Sequence, residues 1–330
     1  MYSLIVGIDI SKTTIDAAIT RQNQKDVYHD SFLNKPFGFK QLIKWIEKFK
    51  NPEDKLLICM EHTGHYGQKL SEYLKSKEID ISQINPLRIK RSLGLRREKS
   101  DKSDSKAIAT YGLKFQEDLV INNLTDGVFL DLQLLLAHRK RLQEKMLSFQ
   151  RQEKYLQHCL ESTYAKQIIR NLKLNRRHFK KQFRMIEDHI EVFIAKYPEL
   201  ERNYRLLQTI PGIGSVISLY TILYTKNFSA IDCPRKFACY CGVAPFKNES
   251  GTSVRKGNRV SFYANRMMKG ILNFGAMNAV KIDPELKAYY QKKVGEKNSK
   301  MLVLNAVRNK LIHRMFSVAK RQTPYVTRAQ

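Results

Sequence analysis

Acidic residues are the scarce class in this 330-residue chain: 31 Asp+Glu stand against 59 Lys+Arg, a formal net charge of +28. An excess of that size opposes compaction by self-repulsion and is the electrostatic footprint of an anionic partner, nucleic acid before any other. Long apolar runs are missing too. None approaches the roughly 18 residues of a membrane span, and there is no basic amphipathic helix with exposed aromatics and no lipidation signal, which argues against a membrane surface as the partner. Cysteine is sparse, odd in number and scattered (Cys59, Cys159, Cys233, Cys239, Cys241). That excludes a disulfide framework and points to a reducing, cytoplasmic setting. The last three cluster, but no complete zinc ligand set with normal spacing accompanies them, so free thiols are expected. An acid at residue 9 interrupts the first apolar run too early for a signal-peptide core.

What is present is enough apolar sequence, 42%, for two domains or one domain with an insertion. SLIVGIDI, TIDAAITR and KDVYHDSF read as three strands. An amphipathic helix follows in PFGFKQLIKWIEKFK, with Phe39, Leu42, Ile43, Ile46 and Phe49 at helical spacing. KLLICMEHTG is a fourth strand, HYGQKLSEYLKSK a helix and DISQIN a fifth strand. The order βββαβαβ followed by a helix is that of ribonuclease H-like folds. From 118 to 205 there is one glycine, Gly127, and one proline, Pro198. Apolar residues recur there at three- and four-residue steps, so two long helices with a break near Ser162–Tyr164 are expected as an antiparallel hairpin or coiled coil. Beyond residue 201 the pattern predicts helix, glycine turn, helix around PGIG, then a polar loop within ACYCGVAPFKNESGTSVRKGNRVSFYANRMMKGIL, then two basic helices. The fold class is thus α/β plus α, divided as 1–117, 118–200 and 201–330.

Four of the scarce acids occupy telling positions. Asp9 lies on an apolar strand, where a carboxylate is costly without compensation. Glu61 ends a second apolar run, and Asp101 and Asp104 are i and i+3, one face of a helix. Three elements can converge these carboxylates on one point. Oxygen donors suit Mg²⁺, and two such ions about 4 Å apart activate a nucleophile and stabilise the leaving oxygen in phosphodiester cleavage. For Asp101 and Asp104, salt bridges within a lysine-rich helix are the competing reading.

The stretch 85–106 carries eight Lys/Arg against three acids and leads directly into the Asp pair. Arg88, Lys90, Arg91, Arg96 and Arg97 would bring phosphate-neutralising charge beside the acids. HRKR (138–141), NRRHFKK (175–181) and the basic tail are further stretches able to track a nucleic-acid backbone, or to form solvated helix faces. Gly212 and Gly214, in PGIG, form a turn of the helix-hairpin-helix type, whose backbone amides can hold a phosphate, although such turns also serve as plain connectors. In NESGTSVRKGNR, Ser250 precedes Gly251 among Arg255, Lys256 and Arg259. By composition this is a phosphate-touching loop. A serine nucleophile would need deprotonation and a neutralised phosphate, which these cations can supply. His62 and His65 beside Glu61 read as turn residues, with metal ligation the alternative.

Taken in order, GIDISK, MEHTGHYG, KSDKSDSKA, a long helical insert, PGIG and GVAPFKNESG resemble the DEDD transposases of the one-ten/eleven-eleven group of bacterial insertion sequences, nearly end to end. The resemblance implies an N-terminal domain like the RuvC-type junction resolvases, with Asp9, Glu61, Asp101 and Asp104 as its four acids, a coiled-coil insert and a C-terminal transposase domain. It places Ser250 on the family's serine nucleophile. It further implies Mg²⁺ (Mn²⁺ as a substitute), double-stranded donor and target DNA, and a covalent phosphoserine intermediate. The acids would come from one subunit of a dimer or tetramer and the serine from another. A structured element-encoded guide RNA would supply sequence choice by base pairing. The chain departs from the family in having Ser105 where a small residue, commonly Ala, is frequent, and Ser261-Phe262-Tyr263-Ala264-Asn265 where many members have a Lys/Arg-Gly segment. Two other functions remain compatible with the residues: a metal-dependent junction endonuclease that uses water, and a nucleic-acid-binding protein with a decayed site.

Overall fold

The computed structural model describes residues 1–22, 26–61, 64–92, 100–121, 127–159, 162–250, 254–261 and 263–326, with the side chains of 64–65, 159, 246–250 and 254–259 outside that description. The chain divides into two compact units, Met1–Leu130 and Asp131–Gln330.

The first unit is built on a five-stranded sheet of order β3-β2-β1-β4-β5, from β1 (Leu4–Ile10), β2 (Thr14–Arg21), β3 (Tyr28–Leu33), β4 (Leu56–Glu61) and β5 (Asp80–Ile84). β1, β2 and β3 form an antiparallel meander, while β4 runs parallel to β1 and β5 parallel to β4. The central strands LIVGIDI and LLICME are near-continuous apolar runs because both faces of the sheet are covered, as parallel pairing requires. The edge strand YHDSFL buries only Phe32, which suits a strand paired on one side.

One face is covered by α1 (Pro36–Glu47) and α2 (Gln68–Lys75), whose Phe39, Leu42, Ile46, Leu70 and Leu74 pack with Val6, Ile8 and Ile58. Proline at the first helical position of α1 sacrifices no hydrogen bond there. The other face is covered by α4 (Asp101–Lys114), with α3 (Pro86–Ser92) beside it; Ile89, Ala107, Ile108 and Tyr111 pack on Ile5, Leu57 and Cys59. A mixed five-stranded sheet of this order, followed by many helices, fits a ribonuclease H-like domain with a helical C-terminal region.

A helical hairpin follows, its first turn in the first unit and the rest in the second. α5 (Gly127–Cys159) and α6 (Thr163–Ala195) are 33 residues each, and Ser162 caps α6 by accepting the Ala165 N–H at 3.0 Å. Arg139 meets Glu187 at 2.8 Å, the Phe149 and Phe179 rings meet at a tilt with centroids 5.5 Å apart and Arg176 bonds Glu153 at 2.9 Å, so positions rising on one helix meet positions falling on the other. The pairing is therefore antiparallel. Glu153 is almost fully buried, and its fork-on-carboxylate contact with Arg176 fixes the register of the two helices.

α7 (Pro198–Gln208), α8 (Ser215–Thr225), α9 (Pro234–Tyr240), α10 (Arg266–Ile282), α11 (Pro284–Gly295) and α12 (Lys300–Arg321) follow. Their core includes Tyr204, Ile222, Phe237, Leu272, Val307, Leu311 and Met315. In place of the expected polar loop there is a two-stranded antiparallel ribbon, β6 (Phe246–Ser250) and β7 (Val254–Arg259). Among the described residues no helix is long and apolar enough to cross a membrane.

Candidate active site

The first unit gathers its acids by strand register and one close helix approach. The parallel pairing of β1 and β4 aligns Ile8 with Met60, so Asp9 and Glu61 are the next residues along neighbouring strands, at their carboxyl ends. That edge is where open α/β sheets hold ligands. α4 delivers the remaining pair. A Cβ on Gly7 would lie 2.1 Å from the Ala109 nitrogen and 2.4 Å from the Ser105 carbonyl oxygen, so only glycine lets α4 cross β1 so closely. The helix starts in a capping box: Ser100 Oγ accepts the Ser103 N–H at 3.2 Å and Ser103 Oγ accepts the Ser100 N–H at 2.9 Å. This fixes the first turn, where Asp101 and Asp104 stand at the positive end of the helix dipole.

The electrostatics record the convergence. Burial pushes the Asp9 carboxyl up to about 6, with repulsion from Glu61, Asp101 and Asp104 adding to it and the Ile10 N–H opposing it. Burial likewise raises Glu61, helped by Asp104 and opposed by Lys90. Four carboxylates therefore share one field, and Lys90 on α3 reaches the same place. The salt bridges with neighbouring lysines that were the alternative for Asp101 and Asp104 do not form among the described residues. A divalent cation relieves this repulsion, and a donor set made only of carboxylate oxygens suits Mg²⁺ or Mn²⁺. Among the described residues no group of three or more His, Cys, Asp or Glu side chains stands close enough together to hold a metal ion.

The other sequence candidates fall elsewhere. Arg88 and Arg91 lie with Lys90 on α3. Arg96, Arg97 and His62 lie outside the described residues, as does the side chain of His65. Gly212 sits between α7 and α8 at a φ of +88°, with room only for hydrogen: a Cβ would meet the Gly275 carbonyl oxygen at 2.6 Å and the Ala279 Cβ at 2.7 Å. Gly214 is the residue preceding α8, and the turn opens on a cavity of about 460 Å³ lined also by Arg139, Lys140, Tyr220 and Phe274. Ser250 is the last residue of β6, paired with Val254, while Arg255, Lys256 and Arg259 lie on β7; their side chains are outside the description.

The ribbon's two ends are pinned by contacts that its polar sequence does not announce. Asn305 Nδ2 donates to the Val243 carbonyl at 2.7 Å, and the Asn265 N–H donates to the Tyr240 carbonyl at 2.7 Å. Asn265 also caps α10 through the Met268 N–H at 3.0 Å; an Asn two residues before a run of Met and Ile was the available sequence signal.

Comparison with known proteins places both units. Residues 6–165 match the family model described as a DEDD transposase of the IS110 type, and residues 204–291 match that described as transposase IS116/IS110/IS902 family. Asp9, Glu61, Asp101 and Asp104 lie within the first match, and Gly212, Gly214 and Ser250 within the second. The chain is also similar to the pilin gene-inverting proteins of Moraxella bovis and Moraxella lacunata, 27% identical to each across 98% of this chain and 98% of theirs.

Proposed function

Because the chain belongs to the IS110 family of transposases, and so is a DNA transposase or recombinase, we propose that it exchanges DNA strands through a phosphoserine at Ser250, assisted by a divalent ion held by Asp9, Glu61, Asp101 and Asp104. The observation that carries this reading is the shared field of four carboxylates at the carboxyl ends of β1 and β4. A bound Mg²⁺, or Mn²⁺ in its place, supplies Lewis-acid neutralisation of the scissile phosphate.

The chain's own residues do the rest. Ser250 Oγ forms a bond to phosphorus as a P–O bond to deoxyribose breaks, and the serine proton is passed to the departing deoxyribose oxygen. A hydroxyl of the other DNA then attacks the phosphoserine, the P–Oγ bond breaks and Ser250 regains a proton. One phosphodiester is exchanged for another, so no external energy source is needed. Arg255, Lys256 and Arg259 neutralise phosphate beside the serine. Arg88, Lys90, Arg91, Arg96 and Arg97 do so beside the acids, and the turn at Gly212 and Gly214 holds backbone.

Sequence choice comes from a structured RNA encoded with the element, whose demand for positive charge fits the basic excess of the chain. The helical hairpin joins subunits into a dimer or tetramer that unites the acids of one with the serine of another. Leu147, Tyr155, Tyr164, Ile168, Leu174 and Val192 on its helices are all exposed, more apolar surface than a solvated hairpin needs.

The deciding assay is a denaturing gel for a covalent protein–DNA adduct, with the protein, Mg²⁺, the RNA of its own element and donor and target DNA. An adduct is expected in the wild type and absent in Ser250→Ala. Cleaved DNA without an adduct in either protein would replace the phosphoserine with water-driven cleavage.

A further inference from the structure

The second unit buries a cation that no carboxylate among the described residues neutralises. Arg308, on α12, is 4% exposed. The hydrogen bond it makes is from Nε to the Leu304 carbonyl of its own helix, at a long 3.4 Å. Its neighbour is another cation. Lys269, on α10, is half-buried, and its charge is disfavoured first by burial and then by Arg308. Burial also lowers Arg308 itself, but the repulsion falls on Lys269 because the amine gives up its proton before a guanidinium does. Neither side chain has a carboxylate in ion-pair reach among the described residues. A buried guanidinium is ordinarily paired, since leaving one unpaired forfeits its hydration with nothing in return.

The pair also has a definite place. Lys269 passes over the turn at Gly242, where an added Cβ would meet its Cδ at 3.8 Å. Val243, the next residue, is held by Asn305, which shares a face of α12 with Arg308 at i and i+3. Asn305 Oδ1 is itself buried without a donor. Two like charges and an orphaned acceptor thus meet at the foot of the β6–β7 ribbon, the element that carries Ser250.

We propose that Arg308 and Lys269 form a seat for a phosphodiester group at the foot of this ribbon, with a water held beside the anion donating to Asn305 Oδ1. A single phosphate compensates both cations at once, which no carboxylate among the described residues does. The guanidinium behind fixes the anion's orientation through its fork of N–H donors, and the more exposed ammonium meets it from the front. That the phosphodiester belongs to DNA undergoing exchange rests on the recombinase reading above; the existence of the anion seat does not.

The test uses the full-length protein and mixed-sequence duplex DNA. Binding is followed by anisotropy across a salt series for wild type, Lys269→Gln, Arg308→Met and the control Lys287→Gln, an exposed lysine on α11. Melting temperatures are taken alongside. Lys269→Gln is expected to flatten the slope of log K against log salt by about one unit, as loss of one phosphate contact does, with Lys287→Gln changing it less. Arg308→Met is expected to raise the melting temperature while lowering strand exchange about 100-fold or more, the cost of removing one preorganised charge donor. An unchanged slope in Lys269→Gln, or a fall in melting temperature in Arg308→Met, would overturn the seat and make the pair a structural feature. Should exchange survive Ser250→Ala, the phosphoserine fails while the salt slope still reports on the seat.

Discussion

The two units carry opposite uncompensated charges. At the sheet edge of the first, Asp9, Glu61, Asp101 and Asp104 repel one another, and Lys90 only partly offsets the repulsion at Glu61. Beneath the ribbon of the second, Arg308 and Lys269 repel one another, with no carboxylate in ion-pair reach among the described residues. Elsewhere each unit balances its buried charge. Asp54 is met by Arg21, Glu153 by Arg176, and Asp283 by Arg314. Folding therefore has no difficulty in pairing charges, and the two unpaired groups stand apart from the chain's ordinary practice. Stability yields to function where a site must hold something that folding does not supply: on the readings proposed above, a metal ion in one unit and a phosphate in the other.

The sharpest way to break this comparison is to neutralise one member of the acid group. Asp9→Asn removes a charge that burial and three neighbours disfavour. The variant is expected to melt higher than the wild type while losing strand exchange by at least about 10³-fold, as loss of an essential catalytic group does, with duplex binding retained. It is the counterpart of Arg308→Met, opposite in the charge removed and the same in sign. A lower melting temperature would mean that the carboxylate is already compensated and that the acids are structural.

The two groups were not equally legible. Apolar runs ending in single acids announce Asp9 and Glu61, and the Asp101/Asp104 spacing announces a helix face. The sheet order follows from strands whose patterns are clear, because apolar periodicity survives wherever a strand is buried. NESGTSVRKGNR reads as a loop because it has neither alternation nor β-branched density. Its strand pairing comes from backbone and tertiary anchors at Val243 and Asn265. Arg308 was hidden by a basic tail. The signal was nonetheless there: Leu304, Arg308, Leu311 and Met315 fall at helical steps, which sets the arginine among buried apolar positions.

A second challenge concerns how the acids are brought together. Gly7→Ala puts a Cβ into the backbone of α4 at Ala109 and Ser105, neither of which can yield as a side-chain tip would. α4 must lift from β1. The expected loss is about 3 kcal/mol or more in chemical denaturation, at the upper end of overpacking costs, accompanied by weaker Mg²⁺-dependent exchange because Asp101 and Asp104 move with the helix. Full activity in Gly7→Ala would detach the acid group from the helix approach that is taken to assemble it.

Asp54 supplies the contrast from within the same unit, a carboxylate with its partners in place. Burial pushes it up, but the Asn51 N–H, the Ser3 hydroxyl and the Arg21 guanidinium outweigh burial and hold it below the usual carboxylate range. Arg21 lies 2.6 Å away, and its guanidinium also donates to the Phe49 carbonyl. A depressed folded-state pKa stabilises the fold above the unfolded value, near 4, and that stabilisation fades as pH falls through the folded value. Asp54→Asn is therefore expected to cost about 1–3 kcal/mol at neutral pH, the range for a partner removed from a buried charged hydrogen bond. The gap from wild type should narrow in urea titrations taken progressively below pH 4. Asp9→Asn and Asp54→Asn make the same chemical change in one sheet-based unit, and their opposite signs at neutral pH separate a carboxylate kept for a ligand from one kept for the fold.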